Sequence, residues 1–405
     1  MPFEWMIALR YLREGRMQTL LILSGVAVGV GVIVFLSALI NGLQGSLIER
    51  TLGSQAHLVI RPPRETPRRL EDRPGMASAV RVEKAPQRLR SIARWQQVAA
   101  DVERLPGVLA VSPTVAGSAF VNRASASKSV ALRGVDPERF QRIISFDGKM
   151  VAGRFRLSGN EAVIGAELAD DLGVTVGDKL RITTAEGRGD VFTLSGIFDL
   201  GNKDVNERWV LVSLRAAQSL LDLVGGASTL EAKLAEIFSA DRFAERVASR
   251  TGLVVDSWTK INAQLMIGLR SQDSSKSMIQ FFVVIAVALG IASVLVVAVV
   301  QKSREIGIMK AVGTSTRRVT RVFLIQGGLL GLAGSLLGCG LGATLALFFA
   351  SLAKNPDGSA TFPVELTPEL FLGAAALATV TGLLAAVVPA RRAARLDPAT
   401  VIRYG

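Results

Sequence analysis

Four long uncharged runs constrain this chain more than any other feature: Met17 to Ile48, Ser277 to Val300, Val322 to Leu352 and Leu370 to Val388. A helix needs ~20 mostly apolar residues to cross the hydrocarbon core of a bilayer. Transmembrane helices are therefore predicted at 17–48, 277–300, 322–352 and 370–389. The first run is about twice as long as the ~7–15-residue apolar core of a signal peptide, so it reads as an anchored helix with an extension beyond the membrane. Loop charge gives the orientation. The connection 301–321 holds Lys302, Arg304, Lys310, Arg317 and Arg318 against Glu305, which places it on the cytoplasmic side by the positive-inside rule. Residues 1–16 combine Arg10, Arg13 and Arg16 with Phe3, Trp5 and Tyr11, a pattern for an interfacial helix on that same side. The tail 390–405 is arginine-rich at its start, whereas the short outer loop 353–369 has Lys354 as its only Lys or Arg. Both termini are thus expected in the cytoplasm, and residues 49–276 outside it.

That long intervening segment is soluble in character and predicts an α/β domain. HLVIRPP reads as a strand ending in prolines, and Ile92 to Leu105 as an amphipathic helix stopped by Pro106-Gly107. Strand-like and helix-like stretches then alternate as far as Trp258. Residues 61–90, rich in Arg, Pro and Glu, have little periodic hydrophobicity and read as an exposed insertion, either a solvated loop or an arm for an anionic partner. Asp170-Asp171 fits charge on a helix surface better than a catalytic pair, and no catalytic constellation stands out.

Several function classes fall away. The net charge of +13 lies largely beside the uncharged runs, where membrane orientation explains it, so nucleic acid is not expected as a partner. Cys339 and His57 are the only residues of their kinds, which excludes a disulfide framework and a cysteine-based metal site. No G-x-x-x-x-G-K-[ST] phosphate loop occurs, so energy from ATP has to come through another subunit. No span has an ionisable residue in its middle, which disfavours a proton- or ion-coupled transporter.

Two stretches are candidate sites. In the basic connection, Ile306, Met309 and Val312 recur at roughly helical spacing before Gly313-Thr314-Ser315 breaks the pattern. This describes either a short amphipathic helix in need of a partner or a basic loop that only sets topology, and periodicity alone leaves both open. In the third span, Gly327, Gly331, Gly334, Gly338 and Gly342 fall mainly on one stripe, the small-residue pattern that lets helix backbones approach closely in lipid.

The stretch REIGIMKAVGTSTRRV, followed by FLIQGGLLGLAGSLLG, resembles the FtsX-type permease segment. That segment is shared by lipoprotein-releasing (LolC/LolE-type) permeases, macrolide-export (MacB-type) transporters and the cell-division protein FtsX. LRGVDPERF, IGAELADDLGVTVGDKL and SGIFDLGNKDVNERWVLVSL look like the extracytoplasmic core domain of such permeases, and PARRAARLDPATVIRYG like their C-terminal signature. The resemblance implies a multi-pass protein of the bacterial inner membrane, with four transmembrane helices and a large periplasmic α/β domain between helices 1 and 2. It implies that Arg304, Glu305, Ile306, Gly307, Met309, Lys310, Val312 and Gly313 form a helix that couples to a separate ABC ATPase dimer. ATP and Mg would bind there, with no cofactor, metal or catalytic residue on this chain. A second permease subunit, identical or paralogous, and a periplasmic carrier or adaptor are the further partners implied, together with membrane lipid. Lipoprotein release fits this layout best. MacB-type efflux of small molecules or peptides, and FtsX-like signalling to cell-wall hydrolases, are the alternatives.

Overall fold

The computed structural model describes residues 3–63, 89–123, 126–352 and 363–397. Most of the Arg- and Pro-rich segment 61–90, much of the outer loop 353–369 and the end of the tail 390–405 lie outside the described residues. The chain divides into two compact units, Ile48–Met266 and the combination of Met1–Leu47 with Ile267–Gly405.

The helices of the second of these units are numbered α1 (Phe3–Glu14), α2 (Arg16–Leu52), α3 (Ala263–Gln301), α4 (Ser303–Ala311), α5 (Thr316–Leu352), α6 (Pro368–Ala385) and α7 (Val387–Ala394). Among the described residues, four helical stretches are long and apolar enough to cross a membrane: α2, α3, α5, and Pro368–Ala394, which joins α6 to α7. The join is broken at Ala386 for a local reason. Pro389 lacks an N–H and its ring crowds the carbonyl four residues back, on Ala385, where α6 ends.

Helix length exceeds what the uncharged runs show. At 37 residues α2 measures ~55 Å, against ~30 Å of hydrocarbon. α3 begins ahead of Ser277 and takes in Arg270, Asp273 and Lys276, because charge ends an apolar run without ending a helix. These polar residues are used. Lys276 Nζ donates to Asn41 Oδ1 at 2.8 Å, Gln44 Nε2 to Asp273 Oδ1 at 3.0 Å and Gln280 Nε2 to Ser37 Oγ at 3.1 Å, lacing α2 to α3. Closer to the middle of the bundle the contact is apolar, with Ile22, Val26, Val30 and Val34 packed with Ile291, Leu295, Leu330 and Ala378. Leu20, Val28, Leu289, Leu336 and Phe348 point outward and exposed, as the surface of a lipid-facing bundle does.

Among its described residues the unit Ile48–Met266 is built on ten strands: β1 (Leu58–Arg61), β2 (Val108–Arg123), β3 (Ala126–Val135), β4 (Met150–Gly153), β5 (Glu161–Gly165), β6 (Lys179–Thr184), β7 (Gly189–Phe198), β8 (Trp209–Ser213), β9 (Thr229–Leu234) and β10 (Val254–Ser257). The sixteen-residue β2 organises them. Its first half pairs with β9, which continues through β1 to β10. Its second half pairs with both β3 and β6. Since β3 pairs with β8, β8 with β5, β5 with β7 and β7 with β6, six strands close into a ring. Alternation along each strand sends one set of side chains inward. Val115, Ala119, Val121, Leu132, Ile164, Ile182, Phe192 and Val210 fill the interior. Helix Leu214–Leu220 packs against this cluster, and a side chain at Gly134 would collide with Ala217. A second core lies where β1, β9 and β10 meet helices Trp95–Glu103 and Ala240–Thr251, around the fully buried Trp258.

Candidate coupling site

The basic connection folds as a short helix, α4, held on its inner side and open on its outer side. Its end follows from Gly313. That residue has φ +99°, a left-handed backbone that disfavours a Cβ. With it, Thr314 N donates to Met309 O and Gly313 N to Lys310 O, both at 3.0 Å. These two bonds are the Schellman pattern, which satisfies carbonyls that a helix end otherwise leaves bare. Gly313 is exposed and nothing lies within 4 Å of where a Cβ would be, so its backbone conformation alone calls for glycine.

Three contacts fix the inner side. Ile306 is fully buried among Ala8 and Tyr11 of α1, Val299 of α3, Val319, Val322 and Phe323 of α5, and Ala390 and Ala393 of α7. Met309 packs against the same cluster, and Gly307 is buried beside Ile306. Lys310 Nζ donates to the carbonyls of Ala394 at 2.9 Å and Leu396 at 2.6 Å, tying the last turn of α4 to the end of α7. At the other end, Lys302 Nζ bridges Glu14 at 2.6 Å and Glu305 at 2.7 Å, while Arg10 holds Glu14 from the far side at 2.7 Å. Hydrogen bonds from Lys302 and then Arg10 hold the Glu14 carboxyl down at about 2, and the hydrogen bonds to Glu14 and Glu305 raise Lys302. Burial, reinforced by the negative charge of Glu305, pushes the neighbouring Tyr11 phenol up to about 12.

The outer side is bare. Arg304, Glu305, Ile308, Ala311 and Val312 are exposed, Val312 by 83%. The structure therefore divides the trio Ile306, Met309 and Val312. The first two are anchors within the chain, and Val312 shares the open side with Ile308, which sequence spacing did not single out. The missed signal is the Ile308–Val312 pair, four residues apart and hence on one helix face.

The glycines of α5 are likewise brought to two different partners. A Cβ on Gly331 would stand 2.6 Å from the Ala378 carbonyl oxygen, and one on Gly327 would collide with the Gly382 carbonyl, so both face α6. A Cβ on Gly334 would stand 2.5 Å from Val26 Cγ1, on Gly338 2.6 Å from Val30 Cβ, and on Gly342 2.7 Å from the Gly31 carbonyl oxygen, so these three face α2. All five are buried. Among the described residues no group of His, Cys, Asp and Glu is arranged to hold a metal ion. The chemistry available here is mechanical: a helix anchored to four others, with an apolar and charged face left over.

Comparisons with known proteins agree with this layout. The family model of the MacB-like periplasmic core domain matches residues 19–250, and that of the FtsX-like permease C-terminal matches residues 277–398. The chain is 25% identical over 435 residues to the lipoprotein-releasing system transmembrane protein LolC of Neisseria meningitidis, covering 99% of each chain. It is also 25% identical over 413 residues to LolE of Haemophilus influenzae, covering 93% of this chain and 92% of that one. A shorter match, 38% over 122 residues, is to the macrolide export ATP-binding/permease protein MacB of Photorhabdus laumondii, covering 30% of this chain and 18% of that protein. The two family models between them account for the α/β unit and the helices after it, and the protein belongs to the FtsX-type, MacB-like family of ABC transporter permeases.

Proposed function

We propose that this protein is the permease subunit of a mechanically driven ABC transporter of the bacterial inner membrane, and that its work is the release of lipoproteins from that membrane. A separate ATPase dimer hydrolyses ATP in the cytoplasm and moves α4. The close-packed helices carry that motion across the membrane, and the α/β unit on the periplasmic side hands over an acylated cargo. A second permease chain completes the wall of the pathway, and a periplasmic carrier receives the product. No bond is made or broken by this chain. The observation that carries the proposal is α4 itself, with Ile306 and Lys310 fastened inward and Ile308 and Val312 bare. An apolar pair at i and i+4, flanked by Arg304 and Glu305, suits helix-in-groove docking. The end-to-end match to LolC supports lipoprotein as the cargo.

The test is co-purification of the co-expressed ABC ATPase together with lipoprotein release from reconstituted membranes. Ile308→Asp and Val312→Asp each put an unpaired charge into the proposed contact, and should cost ~2 kcal/mol or more of docking. ATPase recovery should then fall more than tenfold while permease yield stays normal. Full recovery and normal release in both variants would refute the coupling role. The MacB match, higher in identity though confined to 30% of this chain, favours a second reading, export of small molecules or peptides through a periplasmic adaptor. Release of an acylated cargo in the same assay distinguishes the two.

A further inference from the structure

Two bends meet at one end of the membrane unit. Gly15 is the turn at which α1 gives way to α2, and Lys302 the turn at which α3 gives way to α4. Side chains stitch the two bends together on both sides of Gly15. Before it, Glu14 accepts from Lys302 Nζ at 2.6 Å; after it, Gln18 Nε2 donates to Gln301 Oε1 at 2.6 Å. Lys302 is itself placed from several directions. Its Nζ also meets Glu305 at 2.7 Å and stands 5.5 Å from the centre of the Tyr11 ring, while Arg10 holds Glu14 at 2.7 Å. Close packing does not duplicate this stitch. A pocket of about 370 Å³ separates the first turns of α2 from α5, with Gly15 and Gln18 on one wall and Phe323 and Gln326 on the other. The glycine contacts that seat α2 on α5 begin further along, at Val26. By chain connection α4 adjoins α3 on one side and, through residues 313–315, α5 on the other, but it never adjoins α2.

We propose that Lys302, with Gln301 beside it, is a positioning residue that delivers the displacement of α4 to α2. A push on α4 reaches α3 and α5 along the backbone. α2 has no such connection, and at its first turns the Lys302–Glu14 and Gln301–Gln18 pairs take its place. One pair lies before Gly15 and the other after it, so the bend cannot flex and leave α2 behind when α1 and α4 move. Side chains as exposed as these, 26% for Lys302 and 36% for Glu14, form ion pairs that add little to folding stability. Loss of the stitch therefore shows in transmission and not in the fold. Arg10 stays on Glu14 when Lys302 is replaced, so no carboxylate is orphaned. On the reading of α4 as the helix that docks the ATPase, on which this role rests, the two pairs are the route by which the motor's motion enters the first span.

The experiment uses the full-length permease with a co-expressed ABC ATPase in reconstituted membranes. Lys302→Met keeps most of the side-chain length and removes the charge. It should leave ATPase recovery and melting temperature unchanged and lower the cargo released per ATP hydrolysed about fivefold. Glu14→Gln should do the same, and the double variant should be no worse than either single one, because both remove one contact. Lys302→Arg, which keeps the charge, should keep the native ratio. A reading independent of cargo comes from spin labels at exposed Met17, in the first turn of α2, and exposed Ser315, just after α4, in a Cys339→Ser background. Their separation should be the same in the nucleotide-free and ATP-trapped complexes, and should change on trapping in Lys302→Met. A native permease that captures no ATPase would remove the docking reading and this role with it. With the ATPase captured, the stitch alone would be overturned by native release per ATP in Lys302→Met, by additive losses in the double variant, by a fall in melting temperature that matches the loss of release, or by a separation in Lys302→Met that trapping leaves unchanged.

Discussion

Ile306 and Val312 show how far two similar residues of one short segment can differ in consequence. Ile306 lies in a cluster contributed by four other helices, so Ile306→Asp leaves an unpaired charge in an apolar interior and should cost ~3–5 kcal/mol. Permease yield and melting temperature should fall together, in contrast to Val312→Asp. Gly313→Val meets no neighbour, so its cost is the left-handed backbone alone, ~1–2 kcal/mol. On the proposed coupling it should leave the permease assembled with an ATPase and poorly coupled, read as ATP hydrolysis without cargo release. His57 gives a pH prediction in the α/β unit. It is buried, and its Nδ1 accepts from Leu234 N at 3.0 Å, which only the unprotonated nitrogen can do. Burial, with the Lys233 charge adding to it, lowers its pKa below the ordinary 6.5. The unfolded chain then takes up the proton first, so stability is full above pH ~6.5 and declines as pH falls from there toward the lowered value. Melting temperature followed from pH 7.5 to 5 should drop, and the part due to this residue should vanish in His57→Gln. Gly313 was legible in the sequence as a helix stop because its chemistry is local. The Lys302–Glu14 pair was not, since its members stand 288 positions apart.

At the scale of the element, the glycine stripe of α5 was plain in the sequence, and its division between partners was not. Small residues at every fourth position state that a backbone comes close without stating which one. The structure assigns Gly327 and Gly331 to α6, and Gly334, Gly338 and Gly342 to α2. All of these contacts are within one chain. Gly338→Leu should therefore destabilise the permease bundle itself by ~1–3 kcal/mol, whether or not a second subunit is present. Gly340→Ala, on the same helix with open space around it, should be neutral or stabilising by up to ~1 kcal/mol. Unfolding of the two variants in detergent checks the contrast, and equal stability would show that the stripe is loosely packed. Helix ends were read less well than helix centres. An apolar run ends where the first charge appears, yet α2 and α3 continue as helix and use those polar positions to bind each other.

For the whole molecule, the apolar spans and the α/β character of residues 48–266 could be read from hydrophobic patterning, since both are properties of consecutive residues. Closure of six strands into a ring could not, because it depends on β2 reaching β6 as well as β3. Orientation across the membrane is open to a direct test. In a Cys339→Ser background, a cysteine at exposed Thr193 should react with a membrane-impermeant maleimide added to the periplasmic side, and one at exposed Ser315 should not. The reverse pattern would invert the arrangement. The cluster around Ile306 also sets an order of events during synthesis. It joins Ala8 of α1 to Ala390 and Ala393 of α7, far apart in the sequence, and Lys310 waits for the carbonyls of Ala394 and Leu396. A growing chain cannot finish α4's seat until α7 and Leu396 have left the ribosome. Chains stalled before Pro389 should thus lack that seat and, on the docking proposed above, fail to capture an ATPase that chains carrying α7 capture, so that recruitment of the motor waits on α7.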